Sequence, residues 1–244
     1  MRMISLLCAI ALPALIIGCF QLSGPPAGAG PAPEGETIRL PAPSRDSSTS
    51  IEQALSGRRS ARDYRDEPLS LSDVSQLLWA AQGLSGTEGL RTAPSAGALY
   101  PLEVYVVAGN VPDLKPGVYR YVPREHAIVM VADGDKRADL SRVALGQPSV
   151  KDAPIDIVIA GVYERTTGKY DTPVSDELTG AKYPAGVKYV HMEAGHASQN
   201  VYLQCESLGL GTVAIGAFSE EGVRNVTGMS GEKRPLYIMP VGRT

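Results

Sequence analysis

The spacing of apolar and polar positions divides residues 50–244 into helices and strands. Apolar runs of β-favouring residues predict strands at 102–108, 117–122, 127–132, 154–163, 212–218 and 235–242. Helical spacing and capping residues predict helices at 51–55, from Ser70 or Ser72 to Gly83, and at 137–145, 188–208 and 219–227. Three strands follow one another closely, which favours antiparallel pairing. No regular βαβ repeat occurs, so the predicted fold class is α+β.

The first residues are typical of an export signal. Arg2 precedes an apolar stretch at 4–17, which is shorter than the roughly 20 apolar residues that span a bilayer. The stretch ends in IIGC, which resembles a bacterial lipobox whose final Cys is lipidated. We therefore predict a signal peptide at 1–18, a lipid on Cys19 and a location on the cell envelope, facing the periplasm or the exterior. An ordinary signal peptide with an incidental Cys is the alternative.

Residues 19–49 are rich in Pro, Gly, Ala and Ser and offer little apolar surface to bury. This composition predicts an extended, mobile tether. The folded part is then 50–244, a length that suits one domain or one protomer of an intertwined dimer. Phe20 replaces the Asp that retains many lipoproteins in the inner membrane of Gram-negative bacteria, so the outer membrane is the expected location there.

Charge and cysteine content exclude several classes of partner and site. The net charge is −3, and it becomes −4 when Arg2 leaves with the signal peptide. No basic stripe is present, so nucleic acid is not an expected partner. With Cys8 removed and Cys19 lipidated, Cys205 alone remains, which leaves no internal disulfide and no Cys-based metal site. We expect Cys205 to be a small core residue.

Four polar side chains after the first predicted helix could hold a phosphate monoester: Arg58, Arg59, Ser60 and Arg62. Guanidinium groups and hydroxyls form strong hydrogen bonds with phosphate oxygens. Acidic residues follow within a few positions, so a solvated run of surface charge explains the pattern equally well.

Small residues precede the strand predicted at 102–108: Pro94, Ser95, Ala96, Gly97 and Ala98. Short side chains let a large, flat ligand approach the main chain closely. Neither glycine-rich phosphate motif, GxGxxG or GxxxxGK, occurs in the chain. A flexible turn without a ligand is the alternative.

A glycine-containing stretch, 208–218, joins the long helix to the strand predicted after it. Gly209 is explained as a helix terminator. The remaining glycines would suit a helix end and a strand start that lie against a flat ligand.

The His residues of the long predicted helix are not spaced for zinc. His191 and His196 are five residues apart, about 140° around a helix, so they do not share a face as an HExxH pair would. Glu193 and His196 match the Glu-x-x-His pattern of di-iron bundles, but no second copy exists. We predict buried, hydrogen-bonded His residues and no metal. No GxSxG motif occurs either, which disfavours a hydrolase.

Six stretches resemble, in order, the SagB-type (ThcOx) dehydrogenases of the nitroreductase superfamily. They are RRSARDYRDEPLSLSDVSQLLWAAQGL, RTAPSAGALYPLEVYVV, GVYRY, DAPIDIVIAGVYERTTGKY, EAGHASQNVYLQCESLGLGTVAIGAF and PLYIMPVGR. The resemblance covers nearly all of 51–244. It implies a nitroreductase-like fold, a mixed and mainly antiparallel sheet flanked by helices, with FMN bound at the interface of an intertwined homodimer.

The resemblance also assigns each cluster a part of FMN. The phosphate and ribityl chain would be held by Arg58, Arg59, Ser60 and Arg62, with Arg243 as a further phosphate partner. The isoalloxazine ring would lie against residues 94–98 of the other subunit. From the opposite strand it would be contacted by Ala214, Ile215 and Gly216.

In SagB-type enzymes a Lys-Tyr pair assists oxidation of an azoline ring on a ribosomal peptide. Lys169 and Tyr170 match that pair, and the resemblance makes them the catalytic candidates. A Lys can accept a proton when partly desolvated, and a Tyr can relay it. Two surface residues at a strand end are the alternative.

The expected function is that of an FMN-dependent oxidoreductase. Hydride would pass through flavin N5 to or from a small-molecule or peptide substrate, with a nicotinamide as electron donor. The polar segment 171–189 is longer than the family pattern, and export separates the chain from a cytoplasmic synthetase complex. The longer segment could reshape the substrate side, and export favours a free-standing enzyme. A non-catalytic lipoprotein that binds flavin or another ligand is the alternative.

Overall fold

The computed structural model describes residues 35–86 and 88–244. In this part of the chain the main sheet has seven strands, which are β1 (Thr37–Arg39), β2 (Leu102–Ala108), β3 (Gly117–Val122), β4 (Ala127–Asp133), β5 (Ile155–Val162), β8 (Leu210–Thr212) and β9 (Lys233–Arg243). All are paired antiparallel, in the order β1-β4-β3-β2-β5-β9-β8. A separate hairpin holds β6 (Pro173–Ser175) and β7 (Lys182–Pro184). The predicted signal peptide, Cys19 and residues 20–34 of the predicted tether lie outside the described residues.

Seven helices cover the faces of the sheet in the described part of the chain. They are α1 (Ile51–Gly57), α2 (Leu71–Gln82), α3 (Arg137–Val143), α4 (Pro148–Asp152), α5 (Glu164–Thr167), α6 (Ala185–Leu208) and α7 (Glu220–Thr227). Ser50 and Ser70 begin α1 and α2 with reciprocal capping boxes, and Gly209 ends α6 with a left-handed φ of 65°. Among the described residues, no helix combines the length and hydropathy that a bilayer crossing needs.

The interior strand β5, between β2 and β9, is buried on both sides, which explains its unbroken apolar run. Ile155, Ile157 and Ile159 pack on the side of α2 and α6. Val158 and Ala160 face α3, α4 and α7 on the other side. The observed α+β class, antiparallel sheet and flanking helices confirm the predicted fold.

The prediction of a strand at 212–218 is wrong for the residues after Thr212. Regular pairing ends there, and only Ile215 returns to the sheet, through a single bridge to Ile238. The Ala214 N–H donates to the side chain of Tyr202 instead of to a neighbouring strand. A side chain therefore replaces the ladder at this point, and the chain bends away from the sheet.

The predicted tether extends too far into the fold. Thr37–Arg39 pairs with β4, with Thr37 opposite Val129. Leu40 is 8% exposed in the core, and the Pro41 carbonyl accepts a hydrogen bond from Ser75 Oγ at 2.6 Å. The folded domain thus begins before Ser50. A three-residue strand and one Leu are too weak a pattern to reveal this from composition.

A chain that begins at Ser50 should be less stable than one that begins at Gly35. It loses an edge strand and the buried Leu40, and Leu40→Ala alone should cost about 2–5 kcal/mol. Urea unfolding of both lengths measures the difference. Leu178→Ala is the control, because Leu178 is 95% exposed. Equal stability of the two lengths would contradict the observed boundary.

Candidate functional site

Tyr202 on α6 joins two clusters that are far apart in sequence. Its hydroxyl lies 3.2 Å from Ser60 Oγ and accepts the Ala214 N–H at 2.8 Å. The Arg58 guanidinium lies over its ring, 5.1 Å from the centroid. A main-chain bridge between Ser60 and Thr212 adds to the contact. The structure therefore brings the arginine segment and residues 212–216 together.

The three arginines of that segment differ in their surroundings. Arg58 is half-buried, whereas Arg59 and Arg62 are exposed. Arg59 Nη1 donates to the carbonyls of Ser56 at 2.9 Å and of Arg58 at 2.8 Å. Carbonyls at a helix C-terminus lack intrahelical donors, so Arg59 stabilises the end of α1.

Arg243 lies at the end of β9, beside the same segment. Its carbonyl accepts the Arg65 N–H at 2.9 Å. Its guanidinium, however, lies against two carboxylates, with Nη2 3.3 Å from Asp73 and Nε 3.8 Å from Glu67. A phosphate at this position would compete with both carboxylates for Arg243.

The small-residue loop 94–98 has a strained backbone. A single 3₁₀ turn covers Ala96–Ala98, and φ is positive at Gly97 (60°), Ala98 (53°) and Tyr100 (47°). Positive φ is unfavourable for residues other than Gly and is common at ligand-binding sites. The N–H groups of Ala96 and Gly97 donate to no group in the described part of the chain. These two donors are free for a ligand.

Lys169 and Tyr170 lie against this loop in the same chain. A Cβ added to Gly97 would stand 2.8 Å from both Lys169 Nζ and the Tyr170 hydroxyl. The Tyr170 ring packs edge-on against Tyr189 of α6, with 5.0 Å between centroids. The structure thus brings the predicted catalytic pair to the small-residue loop. Within the described residues, no hydrogen bond joins this group to the Tyr202 cluster.

Glu193 and His196 of α6 also lie beside this loop. Their pattern in the sequence points only to a possible metal site, and not to a place beside the loop. Glu193 is 2% exposed. Burial raises the pKa of Glu193 to about 7, while hydrogen bonds from Ser95 and Gln82 and the Arg91 charge oppose the rise. His196 Nδ1 lies 3.4 Å from the Pro94 carbonyl. The sequence feature that points to this pair of residues is the i, i+3 spacing of a carboxyl group and an imidazole, which places both near one side of a helix.

A cavity of about 110 Å³ opens between this loop and α6, lined by Pro94, Ala96, Tyr189, Met192, Glu193 and His196.

His191 contacts the Tyr163 hydroxyl. Both His residues are hydrogen-bonded as predicted, but they are exposed and not buried, because they project from the outer side of α6. Residues 35–86 and 88–244 contain no group of three or more His, Cys, Asp or Glu suited to a metal ion. Cys205 is buried in the core, as predicted.

Comparison with known proteins identifies the family. The sequence profile described as the Nitroreductase family matches residues 55–243. The chain belongs to the nitroreductase family. A Methanocaldococcus jannaschii protein named as a nitroreductase is 42% identical over 209 residues, 86% of this chain and 98% of that protein. A Ralstonia eutropha crystal structure with the same family name superposes with a TM-score of 0.70 and 29% identity, covering 85% and 89% of the chains.

A further relative is the Bacillus subtilis FMN reductase that uses NAD(P)H. It is 24% identical over 165 residues, which are 68% of this chain and 53% of that protein. Family membership makes this protein an oxidoreductase and confirms the predicted superfamily. FMN is the cofactor of the nitroreductase family, so the predicted cofactor is confirmed at that level.

The residues present fit a flavin nucleotide. Ala96 and Gly97 offer free N–H donors on a loop without bulky side chains. A Cβ added to Gly216 would meet nothing within 4 Å, so the main chain there is open to a ligand. Arg58 supplies a guanidinium near Ser60 for a phosphate.

Tyr202→Phe should destabilise the protein by about 1 kcal/mol, because the Ala214 N–H loses its acceptor. Urea unfolding measures the loss. Tyr183→Phe, on the β6–β7 hairpin, is the matched control and should stay within about 0.5 kcal/mol of the parent. Equal losses in the two variants would show that the Tyr202 hydroxyl does not join the clusters.

Proposed function

We propose that this nitroreductase-family protein is an FMN-dependent dehydrogenase of the SagB type, anchored on the cell envelope. It exchanges hydride between a small-molecule or peptide substrate and the flavin, with a nicotinamide as the redox partner. The observation that carries the proposal is the contact of Lys169 and Tyr170 with Gly97. The loop with free N–H donors and the candidate proton-transfer pair form one surface.

The phosphate end of FMN is assigned to the Tyr202 cluster. Arg58 and Arg62 supply guanidinium groups, and Ser60 supplies a hydroxyl that Tyr202 orients. Arg59 contributes indirectly by stabilising the end of α1, which positions Arg58. Arg243 takes part only by leaving Asp73 and Glu67, so its share is smaller than that of Arg58.

The ring end is assigned to two main-chain segments. The free N–H groups of Ala96 and Gly97 donate to ring heteroatoms, and Ala214–Gly216 approaches from the other side. The two segments come from different subunits of a homodimer in this proposal. Within one chain, Glu193 beside the loop and Tyr202 are nine residues apart on α6, about 13 Å along the helix axis, which supports that arrangement.

Bound FMN supplies a two-electron carrier that accepts or gives hydride at N5. The chain's own residues handle the accompanying proton. The Tyr170 hydroxyl is the group that donates or accepts it at the substrate, and Lys169 Nζ, 5.6 Å from the centre of the Tyr170 ring, exchanges it with solvent because Lys169 is exposed. Tyr189 holds the Tyr170 ring edge-on.

Replacing Arg58 by Ala should weaken FMN binding roughly tenfold to a hundredfold, since one charge-assisted hydrogen bond contributes about 1.5–3 kcal/mol. Arg243→Ala should also weaken FMN binding, but by a smaller factor than Arg58→Ala. Fluorescence titration with FMN and riboflavin separates phosphate recognition from misfolding. Riboflavin should bind weakly and equally to parent and variants. Arg124→Ala, on an exposed turn, is the control. Riboflavin binding as tight as that of FMN would contradict the phosphate site.

Tyr170→Phe and Lys169→Met should leave FMN affinity within about twofold and slow oxidation of a synthetic thiazoline peptide by roughly 10²–10⁴-fold, the usual effect of a lost acid or base. Stopped-flow absorbance of the flavin follows the rate. Lys182→Met and Tyr183→Phe alter a second Lys-Tyr pair on β7 and serve as controls. If all four variants bind FMN and oxidise the thiazoline peptide at equal rates, Lys169 and Tyr170 take no part in the mechanism. FMN binding without oxidation by the parent would favour the non-catalytic alternative.

The anchor rests on Cys19 alone. Cys19→Ala should convert a membrane-bound, lipid-labelled protein into a soluble or uncleaved one. Fractionation after growth with a labelled fatty acid measures this. Unchanged labelling and membrane partition would exclude the lipid anchor.

A further inference from the structure

The carboxyl group of Glu193 lies under the loop that the proposed function places against FMN. Glu193 projects from α6 into the core and is 2% exposed. Gln82 Nε2 of α2 donates to its Oε1 at 3.4 Å, and the Ser95 side chain of the loop is close enough to the carboxyl group to lower its pKa. A buried carboxyl group between a helix and a strained loop needs such partners, because burying a charge without them is costly.

These contacts belong to a closed ring of side chains. Arg91 Nη1 donates to Gln82 Oε1 at 2.8 Å, and its guanidinium lies over the Tyr100 ring at 4.7 Å. The Tyr100 hydroxyl accepts the Arg91 N–H at 3.2 Å. The Tyr100 N–H donates to Ser95 Oγ at 2.9 Å, which returns the ring to Glu193. The ring spans both ends of the loop.

The loop depends on such support because its backbone is strained. Ala98 and Tyr100 have positive φ values of 53° and 47° without being Gly. Strained residues persist where their surroundings fix them. Ser95 is the one loop residue that links Tyr100 to Glu193, so the state of Glu193 bears directly on residues 94–98.

We propose that Glu193 is a positioning residue whose ionised carboxylate holds Ser95 and thereby keeps loop 94–98 in the form that binds FMN. This rests on the proposed function for the identity of the ligand. The Ser95 side chain lowers the pKa of Glu193 and so favours its ionised form. By linkage, ionised Glu193 favours the held Ser95 to the same extent. Protonated Glu193 releases this constraint.

The groups that face Glu193 set the pH at which this happens. Arg91 from the loop segment is the charged neighbour, and Gln82 from α2 is neutral. Tyr100 and His196 flank them, and Lys169 and Tyr170 reach the loop from its other side at Gly97. Burial outweighs these partners and holds the pKa of Glu193 at about 7. The carboxyl group therefore changes charge within the physiological range.

Between pH 6 and pH 8 the FMN affinity of the parent should rise about threefold to tenfold more than that of Glu193→Gln, since the coupling is about that of one hydrogen bond. Glu193→Gln keeps the shape but cannot ionise, so its affinity should change only through the second ionisation of the FMN phosphate. Ser95→Ala should abolish the additional rise while Glu193 is still present. Glu221→Gln, at an exposed position of α7, is the control and should keep the additional rise of the parent. Fluorescence titration with FMN at each pH measures all four.

A second readout needs no FMN. Because the folded pKa of Glu193 is raised above its unfolded value, its stabilising contribution is present at low pH and is lost as pH rises through about 7. The unfolding midpoint of the parent without FMN should fall over that range more than that of Glu193→Gln. If stability changes with pH as expected but the protein binds no FMN, the proposed function is overturned, while the titration of Glu193 in its side-chain network still stands. FMN binding with the same pH step in parent and Glu193→Gln would overturn the role of Glu193.

Discussion

Helix α6 is the element on which both parts of the site depend. Its 24 residues run past the sheet and bury Ala194, Ala197, Val201 and Cys205 against it. This packing fixes the helix, because each residue lies in a close-packed interior. Residues on the same helix then hold the two parts of the site. Tyr202 binds the arginine segment and residues 212–216, whereas the stretch around Glu193 supports loop 94–98.

The rigid sheet also explains how a strained loop is tolerated beside α6. Ala93 before the loop is fully buried, and Leu102 after it begins strand β2 between β3 and β5. With both ends fixed, residues 94–100 keep positive φ values that an isolated peptide would avoid. The N–H groups of Ala96 and Gly97 stay free because they are the two central residues of the turn, in which only the Ala98 N–H is paired, with the Ser95 carbonyl.

Local patterns revealed most of the fold, because neighbouring residues determine them. The strands at 102–108 and 117–122 begin and end as predicted, and Ser70 and Gly83 bound α2. The strand predicted at 212–218 failed because a distant hydroxyl, that of Tyr202, takes its ladder position. The prediction that the domain begins at residue 50 failed for the same reason, because β1 is stabilised by its pairing with β4 and its own composition does not reveal it.

The candidate site divides in the same way. Residue types identified the arginine segment, loop 94–98 and, through a family resemblance, Lys169 and Tyr170. The contact of that pair with Gly97 joins positions more than 70 apart, and no local pattern contains it. Glu193 appeared in the sequence only as a rejected metal ligand, because its burial and its link to Ser95 exist only in the folded chain.

Mixed dimers test the central claim, that loop 94–98 and the Arg58 segment of different subunits form one site. Arg58→Ala and Lys169→Met protomers, each inactive alone at limiting FMN, should be unfolded together, refolded and assayed for flavin-dependent thiazoline oxidation. Random pairing makes half of the dimers mixed, and each mixed dimer has one intact site, so about a quarter of the parent activity should return. No recovery in dimers shown to be mixed would place both residues in a site within one chain and contradict the account.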